Sequence, residues 1–220
     1  SPYSGQGAAL FPWQLAKAFL SSPAALRETI RERVRRLGVG AEGERAALVR
    51  LGRLTDDALA RPSAKYARLL EHLRAIGVGR GSPARAVVFA ERVATLRWLH
   101  EHLPKDLGIS ADAVEIMHGG LADEEQQRIV EEFKKETAAV RVLVTGDVAS
   151  EGVNLHSQCH ELVHFDIPWS LIRIEQRNGR IDRYGQRHRP RITALLLDPS
   201  GDRFSGDVRI LAKLVDKENE

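Results

Sequence analysis

The chain has 220 residues, of which 43% are hydrophobic and 29% charged, the balance of a soluble globular protein with room for one well-buried domain and an elaboration at one end. Lys and Arg total 33 against 30 Asp and Glu, so the net charge of +3 is too small to argue for polyanion binding by itself. One cysteine, Cys159, excludes an intramolecular disulfide and the usual zinc spacings, and no apolar run reaches the roughly 18 residues that span a bilayer, so no membrane partner is expected.

A lone cysteine fits the reducing cytoplasm, the expected location, without requiring it. The text opens in mid-flow on SPYSGQG with Ser1 in place of methionine, and it reads as a piece of a longer protein.

Residues 1–62 read as a helical extension. Ser22 is a cap, Pro23 stands at the first helical position, and Leu26, Ile30, Val34 and Leu37 recur at helical spacing until Gly38 supplies a stop. A second helical stretch covers about 41–51. Trp13, Phe11 and Phe19 are expected to pack these helices onto the following lobe or onto another domain. Residues 63–220 form that lobe, beginning with a helix over 63–76 that carries Tyr66, Leu69, Leu70 and Leu73 on one side, then a loop over 77–85.

From there strands and helices alternate. Strands are predicted at 86–89, 113–117, 140–145, 161–165 and 191–197. Helices are predicted at 92–103, 123–135, 170–184 and 207–215, the second with Asp123 and Gln126 as a capping pair. Short apolar strands separated by amphipathic helices make this an α/β domain, a parallel sheet with helices on both faces.

In such a sheet ligands collect at the carboxyl ends of the strands. The segments there are 91–92, 118–120, 146–155 and 166–169, all polar, charged or glycine-containing, as βα loops also are without any ligand. The most informative stretch is IEQRNGRIDRYGQ, residues 174–186. On a continuous helix Gln176, Arg180 and Arg183 share an arc of roughly 60°, while Ile174 and Ile181 share another that can face the sheet. Gly179 inside such a helix implies a close backbone approach. Two arginines one turn apart suit a phosphate, whose oxygens match the planar guanidinium fork; a solvated basic helix face has the same pattern.

Taken in order, VVFAE, MHGG, VLVTGDVASEGVNL, HFDIPW and QRNGRIDRYGQ resemble the carboxyl-terminal, RecA-like lobe of superfamily-two helicases. They are most similar to the Swi/Snf-type ATPases, particularly bacterial members of the RapA kind. The resemblance spans about residues 63–197.

It implies the second motor lobe of an ATP-dependent translocase acting on nucleic acid, double-stranded DNA in this branch. It implies that Arg180 and Arg183 act as arginine fingers on ATP and that Gln176 positions the nucleotide or the attacking water. Gly152 and Asn154, with Leu155, match the E-G-x-N-L segment that couples nucleotide to nucleic acid. Arg92, Gly119, Gly120 and Thr145 match positions along the nucleic-acid track, and Trp169 belongs to the D-x-P-W segment that also holds Asp166 and Pro168. The family commonly has asparagine after that tryptophan, where this chain has Ser170.

No G-x-x-x-x-G-K-[ST] cradle occurs. The acidic run at 123–126 opens a helix and does not stand at a strand end, so it is no magnesium site. ATP and magnesium would therefore be bound mainly by an amino-terminal lobe of the same parent protein, and this chain alone should not hydrolyse ATP. His118, His156, His160 and His164 lack a carboxylate or cysteine cluster in register, so no metal site is expected. Two alternatives remain. One is a non-catalytic lobe that docks in a larger complex or binds nucleic acid. The other is a nucleotide-binding α/β domain outside the helicases, against which the missing glycine-rich fingerprint speaks.

Overall fold

The structure, a computed structural model, describes residues 11–61, 63–147, 153–198 and 207. The chain divides into two compact units, Ser1–Ala64 and Lys65–Glu220. Among the described residues no helix is long and apolar enough to cross a membrane.

The first unit holds α1 (Phe11–Ser21), α2 (Pro23–Arg36) and α3 (Glu42–Leu59). Ser22 caps α2 as its sequence predicts: its Oγ accepts from the Ala25 amide at 3.1 Å, with Pro23 at the first turn. The stop differs from the expected one. Leu37 takes the cap position in extended conformation, and the left-handed turn falls on Gly40 (φ +90°) instead of Gly38. Arg45 of α3 then satisfies the last α2 carbonyls, donating to Leu37 O at 3.1 Å and Val34 O at 3.4 Å.

A buried carboxylate ties the helices. Glu44 accepts Arg33 Nε at 2.7 Å and Nη2 at 3.3 Å, and the same guanidinium lies over the Phe11 ring at 4.8 Å. Phe11 is buried in this way, whereas Trp13 and Phe19 are largely exposed.

The second unit is built on α4 (Ala64–Ala75), β1 (Ala86–Phe89), α5 (Val93–Leu107), β2 (Val114–Met117), α6 (Asp123–Lys134), β3 (Val142–Thr145), β4 (Glu161–His164), α7 (Leu171–Asn178) and β5 (Arg191–Ala194). All five strands pair in parallel in the order β2-β3-β1-β4-β5. Alternation along β1 separates two cores. Ala86 and Val88 face Tyr66, Leu69 and Leu73 of α4 with Leu96, Leu99 and Leu103 of α5. Val87 and Phe89 face Ile129, Val130 and Phe133 of α6, with Leu155 and Ile181. The central strands are buried along their whole length, which is why they read as unbroken apolar runs.

Three expectations are corrected. The α6 cap is Ala122, and Gln126 turns its side chain to Leu121 O at 2.9 Å, so Asp123 is inside the first turn and no capping pair forms. The last strand stops at Ala194 and is an exposed edge. The predicted helix 170–184 ends at Asn178, where Gly179 caps it by donating to Glu175 O at 2.8 Å. The predicted helix 207–215 lies outside the described residues except for Asp207.

Candidate functional site

β1 leads through α5 towards β2 on one side of the sheet, and β4 leads through α7 towards β5 on the other, although β1 and β4 are neighbours. Ligands of open parallel sheets bind where connections diverge in this way, at the carboxyl ends. The loops at this point are cross-linked. Asp166, just past β4, accepts the Glu91 amide on Oδ2 at 3.0 Å and faces Lys65 Nζ at 3.4 Å.

Arg177 organises the rest. It is fully buried in α7, with Nε 2.5 Å from Asp147 Oδ1, Nη2 3.1 Å from Oδ2, and Nη1 2.7 Å from Asp166 O. Its guanidinium lies over the Phe89 ring at 5.3 Å. The exposed Arg173, one turn earlier, stands 3.8 Å from Asp147 and 3.9 Å from Glu91. Two arginines of α7 are thereby matched to the loops after β1, β3 and β4.

His164 completes this knot. Its Nε2–H donates to Asn178 Oδ1 at 2.9 Å, which fixes the neutral tautomer and leaves Nδ1 facing Arg177 Nη1 at 3.4 Å. Burial, and then the Arg177 cation, push its pKa down to about 4.

The arginine segment begins where α7 stops. Contrary to the expectation from sequence, Arg180 and Arg183 do not share a helical arc with Gln176; both lie in the turns that follow Asn178. Gln176 is exposed on α7, Arg180 is half-buried and Arg183 is exposed. Ile181 is wholly buried but Ile174 only partly so. Among the described residues Gly179 meets no foreign backbone: a Cβ there would find the Glu175 carbonyl at 3.4 Å and the Gln176 carbonyl at 3.8 Å, so no close approach is seen among them and the glycine serves as a cap.

The segment lies along the loop that follows β3. Arg180 O accepts the Leu155 amide at 3.0 Å, and Arg183 Nη1 donates to Asn154 Oδ1. Gly185 (φ +92°) turns the chain, and Gln186 pins it by donating to Cys159 O and Ile181 O, each at 3.0 Å.

The structure therefore brings together Asn154 and Arg183, and Leu155 and Arg180. Gly152 lies outside the described residues. Arg92 is the N-cap residue of α5 and half-buried. Gly119 and Gly120 form an exposed turn closed by Leu121 N to His118 O at 3.0 Å, and a Cβ on Gly120 would stand 3.1 Å from the His118 ring. That turn follows β2, two strands from β1 and about 10 Å across the sheet from Arg92. Thr145 is fully buried and donates to Gly146 O at 3.3 Å. Trp169 is half-buried, and Ser170 is the N-cap residue of α7, accepting Ile174 N on its carbonyl at 3.2 Å.

Arg177, Asp147 and Asn178 are absent from the residues that sequence reading selects, and His164 enters it only as a rejected metal ligand. Period 3.6 places Arg177 on the face of Ile174 and Ile181, and a charge on an apolar face is the signal that finds it.

A doubly covered parallel sheet, with a glutamine–arginine segment after β4 laid on an asparagine loop after β3, defines a RecA-like lobe of the helicase type. The family model described as the helicase conserved C-terminal domain matches residues 64–185, more than half of the chain, and the chain belongs to that family. It is 33% identical over 103 residues to the RNA polymerase-associated protein RapA of Vibrio campbellii and to that of Vibrio vulnificus, over 47% of this chain. The match spans only 10% of those relatives' length.

Two solved structures share the fold. The C-terminal part of the Fun30 ATPase domain has a TM-score of 0.54 at 19% identity, over 83% of this chain and 59% of that one. Domain 2 of the DEAD-box helicase Mss116p, solved bound to an RNA duplex, has a TM-score of 0.55 at 22% identity, over 70% and 55%.

Proposed function

We propose that this lobe is the second half of an ATP-dependent translocase on double-stranded DNA, with Arg180 and Arg183 as its arginine fingers. The observation that carries this reading is the double junction of Asn154 with Arg183 and Leu155 with Arg180. In this reading a loop that would feel nucleic acid touches the segment that carries the cations meeting a triphosphate, through the Arg183 guanidinium and the Arg180 backbone. A shift of one therefore moves the other.

Phosphoryl transfer needs charge stabilisation more than covalent chemistry, and an arginine supplied across an interface contributes about 10³–10⁵ in kcat. Gln176, exposed one turn before Arg180, would position the nucleotide or water. Gly152 and Asn154 would complete the nucleotide side. Arg92, Gly119, Gly120 and Trp169 would line the DNA track. Thr145, its own side chain buried, would serve that track through the direction it gives Gly146 and Asp147.

Among the described residues no three His, Cys, Asp or Glu side chains gather to hold a metal. In this reading magnesium, with the phosphate cradle, belongs to an amino-terminal RecA-like lobe of the parent protein, and the chain works in the cytoplasm.

The test uses the parent protein. Arg180→Ala and Arg183→Ala should each lower duplex-stimulated ATP turnover by about 100-fold or more, with DNA binding and the circular dichroism spectrum retained. Unchanged turnover would leave a docking module in place of a motor. Comparing duplex DNA with duplex RNA as stimulator decides the polymer.

A further inference from the structure

Just beyond the arginine-finger segment the chain carries a second basic stretch that the motor reading does not use. Residues 184–191 read YGQRHRPR, three arginines in eight residues. This stretch leads to the other end of the sheet. Arg191 opens β5 and its amide donates to His160 O at 2.7 Å, while the His188 ring stands 4.9 Å from that of His160, the residue before β4. Arg187, His188 and Arg189 thus sit at the amino-terminal edge of β4 and β5, opposite the edge at which Asp166 and Arg177 meet.

The loop is built, not loose. Gly185 supplies the left-handed turn, Gln186 donates to Cys159 O and Ile181 O, and its Oε1 accepts the His188 amide at 3.1 Å. Arg191 is spent on the buried Glu161. Arg187 and Arg189 are exposed, and among the described residues neither has a hydrogen bond or ion pair. Tyr184, at the tip, is 100% exposed. The exposed acid nearest in sequence is Asp182.

We propose that residues 184–189 form a second contact with the phosphate backbone of duplex nucleic acid, separate from the motor face and independent of nucleotide. Guanidinium forks held on a fixed loop match phosphate oxygens at little ordering cost, and Tyr184 adds a planar face against sugar or base. A protein partner would need an apolar centre, and Arg187, His188 and Arg189 offer none. The choice of nucleic acid as the polyanion rests on the motor reading; the grip itself does not need ATP turnover.

The experiment measures binding of fluorescent duplex DNA and duplex RNA to the full chain, without nucleotide, across a salt series. The double variant Arg187→Ala/Arg189→Ala should weaken binding alike for all sequences and lower the slope of log affinity against log salt by about two. Arg187→Lys/Arg189→Lys keeps the charges and should keep the slope, which separates lost phosphate contacts from lost fold. An alanine variant with unchanged slope overturns the proposal. Because nucleotide is absent, failure here is distinct from failure of Arg180→Ala or Arg183→Ala to change ATP turnover.

Discussion

Arg177 lies wholly inside the lobe and forks onto Asp147, Nε to Oδ1 at 2.5 Å and Nη2 to Oδ2 at 3.1 Å. The pair fixes the distance between α7 and the end of β3, the two elements from which the arginine segment and the coupling loop depart. Replacing Arg177 by methionine fills the volume but leaves Asp147 without its fork. Asp147 keeps a quarter of its side chain in solvent and can rehydrate, so the loss belongs at the low end for a broken buried pair, about 3 kcal/mol. Arg177→Lys retains the charge and should lose less. Urea unfolding checks both, as a lower midpoint at constant m-value; a methionine variant as stable as the parent chain would show that the pair adds nothing.

The Asn154–Arg183 contact makes a prediction whose sign is unusual. Asn154→Asp turns a neutral acceptor into an anion and should hold Arg183 to its own lobe, in competition with a triphosphate. Asn154→Ala releases it. At this exposed site the ion pair with aspartate is worth about 1 kcal/mol against alanine, which makes no bond, so ATP turnover of the parent protein should be about 5-fold lower with aspartate than with alanine. Equal turnover in the two would mean that Arg183 does not leave Asn154 to act.

His164 sets a pH window for stability. Its folded pKa, down to about 4 from the model-peptide value of 6.5, means that the unfolded chain takes up a proton first as pH falls. The neutral ring contributes fully above about pH 6.5, and that contribution is lost as pH falls towards 4, by at most about 3 kcal/mol. The groups that face it, Arg177, Asp147 and Asn178, are spread over the loop after β3 and α7, so one substitution in the ring itself is the cleaner test. Chain stability followed by thermal unfolding should decline through that interval and do so less in His164→Gln; parallel profiles would remove His164 as the cause.

Much of the lobe is legible because both of its periods are clean. Buried parallel strands give apolar runs such as Ala86-Val87-Val88-Phe89, and the amphipathic 123–134 segment allows only one reading. Sequence also selects Arg183 and Asn154 as candidates, but not that one holds the other, since a 29-residue separation carries no period. The helix 170–184 is over-extended for a local reason. Gly179 reads as an interior cost to be explained, whereas the chain uses it to end α7 and turn Arg180 and Arg183 onto the β3 loop. Arg177 is missed because arginines in a basic run all look solvent-bound; only its Asp147 partner, distant in sequence, makes one of them internal. Gly38 and Gly40 show the same limit, since two glycines can each stop a helix and φ alone tells which turns the chain.

Cys159 offers a probe of the basic loop. Its thiol is buried and donates to Glu161 O at 3.3 Å and Arg85 O at 3.5 Å, and burial pushes its pKa from 9.0 up to about 12. At neutral pH its thiolate fraction is therefore about a thousandfold below that of an exposed thiol, and alkylation should proceed only through opening. Gln186 bonds the Cys159 carbonyl, so the loop that carries Arg187 and Arg189 is part of what shields the sulfur. Gln186→Ala removes bonds to Cys159 O and Ile181 O and an acceptor for His188 N, each worth about 1 kcal/mol. Iodoacetamide labelling should then speed up about 10- to 100-fold and, in both proteins, exceed the rate that global unfolding allows. A labelling rate that tracks only the midpoint would mean that the loop opens with the whole lobe, and that Gln186 does not hold it separately.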